Sequence, residues 1–205
     1  GFYKNGYRLR YWYITPAIYN QGWHLMSNLN LDDLFEDYTT FNIDLKIPKQ
    51  LHLTGSLKQI KKSDKTQNSF HLYGKNEKDV LVDIQKINTF KKFTTNTHEI
   101  QTNILEEEVS NSLTQNLLNR ELEFLSAYLG VSPINKILID EVMCSKNPVY
   151  GLNQLPSFIR PFSDVFNHDL NLFKALSRKY LKQTLLLNER KDYWLIDGLQ
   201  NYLMI

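Results

Sequence analysis

The stretch "LEEEVSNS", residues 105–112, separates two rhythms in this chain. Upstream of it apolar residues recur at every second position; downstream they recur at every third or fourth. The clearest upstream case is "FNIDLKIP", residues 41–48, which sets Phe41, Ile43, Leu45 and Ile47 against Asn42, Asp44 and Lys46. A period of two places one strand face in a core and the other in water, and Pro48 ends the run. "LHLTGSLKQI" (51–60), "FHLYG" (70–74), "DVLVDI" (79–84) and "EIQTNI" (99–104) are further β-type runs, separated by polar turns such as "KKSDKTQNS" and "GKNEKD". From about Tyr7 to Ile104 the sequence therefore predicts an antiparallel sheet or sandwich.

Downstream, Leu118, Leu122, Leu125 and Leu129 fall on one face of a helix, with Gly130 where a C-terminal cap belongs and Pro133 just beyond. "NKILIDEV" (135–142) reads as a strand whose Ile137, Leu138 and Ile139 are buried on both faces. A loop with Pro148, Pro156 and Pro161 follows, then a helix from about Asp164 to Leu187 and another from about Lys191. The expected fold class is α+β, with an N-terminal antiparallel β domain over 1–104 and a helix-rich α/β domain over 105–205. Glu106, Glu107 and Glu108 lack the alternating oxygen spacing of a calcium loop and read as a solvated linker.

In 205 residues, 42% apolar and 13% aromatic content supports a substantial core. Lys and Arg number 24 against 22 acids, and this net charge of +2 gives no electrostatic case for nucleic acid or an acidic membrane. The single cysteine, Cys144, excludes an internal disulfide framework. No apolar run approaches the roughly 20 residues that span a bilayer, and "GFYKNGYRLRYWYI" lacks a signal-peptide core. Both ends read as cuts, so the expectation is one piece of a longer polypeptide.

The familiar chemical signatures fail in turn. His168 has no second ligand three or four positions on, where Asn171 and Leu172 stand. His24, His52, His71 and His98 are scattered through strand-like segments and read as surface or half-buried residues. Cys144 has no histidine that the sequence places beside it and reads as a small core or loop residue. "YGLNQLP" has one glycine and no Lys-Ser pair, so it is no phosphate loop.

One resemblance runs along nearly the whole chain. "YWLIDGLQNYL" (193–203) is similar to the W-L-N-E-G-x-A-x-Y context of the third zinc ligand in the aminopeptidase N family of gluzincin metallopeptidases, with Asp197 at the acid. In that family H-E-x-x-H precedes the acid by eighteen residues. Here the pentapeptide is Lys174-Ala175-Leu176-Ser177-Arg178, so the family's His, Glu and His correspond to Lys174, Ala175 and Arg178. "YWYITPAIYNQGWH" (11–24) resembles the family's W-x-P-x-x-x-Y-x-x-x-G-W segment, and "FNIDLKIPKQLHLTGSL" (41–57) the strand pair that follows it. "LEFLSAYLGVSPINKILIDEV" (122–142) resembles the helix, turn and strand opening the thermolysin-like catalytic domain, and "NPVYGLNQLP" (147–156) stands where the family has G-x-M-E-N.

The resemblance implies a thermolysin-like α/β peptidase domain after the β domain, and the departures from it imply lost chemistry. Zinc needs two neutral imidazoles and a carboxylate, and a Glu to take the proton of its water; Lys174 and Arg178 are cations, and Ala175 is no base. Where the family's Glu holds a peptide's α-amine, this chain offers Tyr150, Gly151, Leu152, Asn153 and Gln154, whose neutral amides pair that charge poorly. The expectation is a non-catalytic pseudopeptidase without zinc or another cofactor, binding a peptide or protein partner or serving as an assembly scaffold. Residues 150–154 are then the peptide-binding edge, and Asp197 pairs with Arg178, Lys174 or both. The alternative is a zinc aminopeptidase or related hydrolase completed by segments outside this chain. Family analogy adds a cell-envelope or periplasmic setting.

Overall fold

The computed structural model describes residues 1–3, 6–15, 17–25, 34–146, 149, 155–159 and 162–204. The chain forms two compact units, Gly1–Phe90 with Leu186–Tyr193, and Lys91–Leu185 with Trp194–Ile205. The change of rhythm at 104/105 is thus not the boundary between the compact units. Of the two strands just before it, the second pairs with residues 136–139 of the second unit and the first pairs with the second, a long-range partnership that periodicity does not encode.

The first unit contains β1 (Phe2–Tyr3), β2 (Gly6–Leu9), β3 (Ile18–Tyr19), β4 (Trp23–His24), β5 (Thr39–Pro48), β6 (His52–Gly55), β7 (Lys58–Ser63), β8 (Gln67–Glu77) and β9 (Val82–Gln85). They form antiparallel sheets in the orders β1-β2-β9-β6 and β5-β8-β7, with β3-β4 a separate hairpin. Ile43 stands opposite Leu72 and Leu45 opposite Phe70, so one face of β5-β8-β7 feeds a core with Ile47, Leu53, Val80, Val82 and Ile84. "LHLTGSLKQI" is not one strand: it changes sheet between β6 and β7. Ser56 fixes the corner, its N–H donating to Leu81 O (2.9 Å) and its Oγ accepting from Leu81 N (3.1 Å).

"GKNEKD" is likewise no simple turn. β8 runs on to Glu77, and Glu77, Lys78 and Asp79 are buried. Burial of these charges is tolerable because they have partners: Asp79 accepts from Arg10 Nε at 2.9 Å, and Lys78 Nζ lies 5.3 Å from the Tyr38 ring centroid. Gly74 permits the close packing, since a Cβ there would come within 2.7 Å of Leu57 and 2.8 Å of Glu77.

The second unit contains β10 (Lys91–Thr94), β11 (Glu99–Thr102), α1 (Asn111–Leu129), β12 (Lys136–Ile139), α2 (Glu141–Lys146), a 3-10 turn at Ser157–Ile159, α3 (Asp164–Thr184) and α4 (Tyr193–Leu203). β10 pairs antiparallel with β11, and β11 pairs parallel with β12, with α1 in the crossover. Ser110 caps α1 by accepting from Leu113 N, and Gly130 closes it at φ +80°, its N–H donating to Ser126 O. Leu118, Leu122 and Leu125 are buried with Ile100, Ile137, Ile139, Leu172, Leu176 and Tyr180 in one core. The fold is α+β, antiparallel β sheets leading into a helix-rich part.

Candidate functional site

α3 carries three of the positions singled out by sequence. Ser163 starts the helix by accepting from Phe166 N at 3.3 Å, and Leu172, Ala175, Leu176 and Tyr180 form its buried stripe. Lys174 and Arg178, four residues apart, stand together on a neighbouring strip of the helix, Lys174 half-buried and Arg178 buried. α4 follows a tight turn in which Asp192 N donates to Asn188 O (2.7 Å) and Asn188 N to Asp192 Oδ2 (3.2 Å). Ile196 and Gln200 are its buried positions, with Asp197 beside them.

Here α3 and α4 are joined by polar groups. Arg178 Nη1 donates to Asp197 Oδ1 in an ion pair. Gln200 Nε2 donates to the Lys174 carbonyl at 2.6 Å and to Ser177 Oγ at 3.0 Å, and Ser177 Oγ donates back to that carbonyl at 3.2 Å. The arginine side chain is 10% exposed and the aspartate 39%, so water reaches the pair from the α4 side. Lys174 is half-buried. Burial lowers its ammonium pKa, Asp197 opposes that shift and Arg178 reinforces it. Ala175 is 4% exposed and packs within the apolar core.

α2 sits against α3 at the same level: Cys144 Sγ lies 3.7 Å from Asn171 O. Burial pushes its thiol up to about 12, with Asp140 and Glu141 adding to the shift, so at neutral pH it is an unreactive thiol. Tyr150, Gly151, Leu152, Asn153 and Gln154 lie outside the described residues. Gln200 escaped the sequence reading although it stands three residues after Asp197, one helical turn along α4. That spacing is the signal that marks it.

Two buried polar groupings were also hidden in the sequence. On the α1–α3 interface His168 Nε2 lies 3.2 Å from Thr114 Oγ1, and Glu121, 2% exposed, stands beside Asp169, which Arg120 holds by two contacts. Burial first, then Asp169, drives the Glu121 carboxyl well above the usual carboxylate range, whereas burial lowers the His168 pKa. In the first unit Tyr11, held at φ +53°, receives Arg10 Nη2 on its hydroxyl at 2.6 Å, near buried Glu36, Asp79 and Glu189. Burial and those acids raise the phenol pKa. Among the described residues no three His, Cys, Asp or Glu side chains converge in a way that could hold a metal ion, and no described helix is long and apolar enough to cross a membrane.

The sequence matches no protein-family model and no curated protein. Among solved structures, an M1 zinc metallopeptidase from Deinococcus radiodurans is similar over 82% of this chain, with a TM-score of 0.50 and 13% identity. The chain spans 40% of that structure's length. Likeness at that identity is likeness of fold, and the fold of this chain is metallopeptidase-like.

Proposed function

We propose that this chain is a non-catalytic pseudopeptidase, an aminopeptidase N-like scaffold in which a salt bridge stands where the family holds zinc, and that it binds a peptide or protein partner or serves in assembly. The observation that carries the reading is the contact of Arg178 with Asp197. These positions correspond to the second and third zinc ligands of the family, and here they neutralise each other. The donor set does not fit zinc: Lys174 and Arg178 offer protons and positive charge, and Asp197 spends one oxygen on the guanidinium. Ala175, at the position of the catalytic glutamate, has no acid or base to offer and is packed away from water. On this reading Arg178, Asp197 and Gln200 join α3 to α4, as the metal joins the corresponding helices in the family. A fold shared with peptidases does not entail their activity.

The test is metal analysis of the purified chain together with hydrolysis of aminoacyl and peptidyl reporter substrates. The expected outcome is substoichiometric zinc and no turnover above buffer. Near-stoichiometric zinc in a hydrolytically active sample would overturn the reading in favour of a zinc aminopeptidase completed by other segments. The proposed peptide edge at residues 150–154 is tested separately, by strand addition: titration with unstructured peptides should shift the amide signals of residues 149–155.

A further inference from the structure

We infer that the outer face and free edge of the β5-β8-β7 sheet form a docking surface for an extended acidic polypeptide segment, which adds to β7 as a fourth strand. Near-neutral overall charge conceals a strong local excess. Between Thr39 and Lys75 there are seven lysines, Lys46, Lys49, Lys58, Lys61, Lys62, Lys65 and Lys75, and all are exposed; the acids there are Asp44 and Asp64 alone. The same segment contains no arginine.

Register places these charges. Directly opposed residues share a face, so the outer face carries the rows Asn42–Tyr73–Lys58, Asp44–His71–Ile60 and Lys46–Ser69–Lys62. Its acid, Asp44, is engaged by His71 at 2.9 Å. β7 pairs with β8 alone among the described residues, leaving its other side as an open edge. Along that edge the outer face presents Lys58, Ile60 and Lys62, with Ile60 62% exposed, and the opposite face presents Gln59 and Lys61.

Lysines on an edge repel a second copy of the same strand. They attract a strand of opposite charge. The pattern lysine, isoleucine, lysine at alternate positions fits a partner strand reading acid, apolar, acid on that face, through cross-strand pairs. The chemistry favours a polypeptide over a phosphate polymer. Lysine is a point charge without the planar fork that makes arginine the usual reader of phosphate, and Tyr73 alone makes a poor stacking platform for bases.

The test is titration of the full chain, isotope-labelled, at low ionic strength with a seven-residue peptide that alternates threonine with glutamate, valine and glutamate. Binding should shift and protect the amides of residues 58–63. Lys58→Glu with Lys62→Glu should weaken it at least about tenfold, the size of a small electrostatic mismatch. The equal charge change Lys86→Glu with Lys191→Glu should leave it within about twofold, as expected for rim charges off the contact. A control peptide that moves both glutamates by one position along the strand turns its acids to the other face, and should bind at least about tenfold more weakly. Four outcomes would each overturn the inference: no binding, shifts confined to other strands, equal sensitivity to the two charge changes, or tighter binding of a single-stranded oligonucleotide or of anionic vesicles. None of these readouts involves residues 150–154 or zinc, so the outcome is independent of the pseudopeptidase reading.

Discussion

Arg178 is the more buried member of its ion pair, so loss of its partner leaves a guanidinium largely cut off from water. Removing one member of a fully buried pair costs about 3–5 kcal/mol; Asp197, at 39% exposure, is screened in part. Asp197→Asn is accordingly expected to lower the unfolding free energy by about 1–2 kcal/mol in chemical denaturation at neutral pH. An unchanged midpoint would show that solvent already supplies what the pair supplies. Glu121 behaves in the opposite sense. Its folded-state pKa is raised, so the stability linked to its proton is fully present below the unfolded value and is lost as pH rises toward the folded one. Asp169 from α3 and Arg120 from its own helix are the charges that face it, the first raising and the second lowering that pKa. Glu121→Gln should therefore match the natural chain near pH 4 and exceed it by about 1–3 kcal/mol at pH 8, the scale of a buried polar group left unsatisfied; a uniform loss at both pH values would refute this. The Arg178–Asp197 pairing was legible because a motif spacing fixed which residues to compare. The burial of Glu121 was not, since a lone acid in a helix reads as solvated until the opposing helix is placed.

α1 was almost fully written in its own sequence: four leucines set its buried face and Gly130 its end. Gly130 has φ +80° with ψ 176°, a region closed to residues with a Cβ. Gly130→Ala should cost about 1–3 kcal/mol in thermal or chemical unfolding, although a Cβ there would touch nothing within 4 Å. A neutral result would place the strain elsewhere. The packing of α1 on α3 brings a pH dependence through His168, and that of β11 a second through His98; both are buried, and burial lowers both pKa values. For a histidine with a depressed folded pKa, stability is present above the unfolded value near 6.5 and falls as pH drops below it. Glu121 acts in the opposite direction over the same range, so the decline should be seen between pH 7 and pH 5 in a Glu121→Gln background, where adding His168→Gln should flatten it in part. β8 marks where local reading stopped. Its polar C-terminal end looked like a turn because Arg10 and Tyr38, which accommodate Asp79 and Lys78, lie far away in the chain.

At the scale of the whole molecule, a net charge of +2 hid a lysine-rich sheet, because summing charge over a chain discards where strands carry it. The division into units was hidden for a similar reason: β10 and β11 look like their upstream neighbours, and only their pairing assigns them to β12. Residues 186–193 belong to the first unit although the helices on either side belong to the second. A fragment of residues 1–90, which lacks the segment carrying Glu189 near Tyr11, should thus melt lower than the first unit of the full chain, by about 4–8 °C if the missing segment contributes ~1 kcal/mol. The same interruption has a consequence during synthesis. The segment that completes the first unit, with Glu189 near Tyr11, leaves the ribosome roughly 100 residues after the rest, a wait of about 5–20 s at ~5–20 residues per second. For that interval the nascent first unit stands without its last segment, so the final increment of its stability arrives only when most of the second unit has been made.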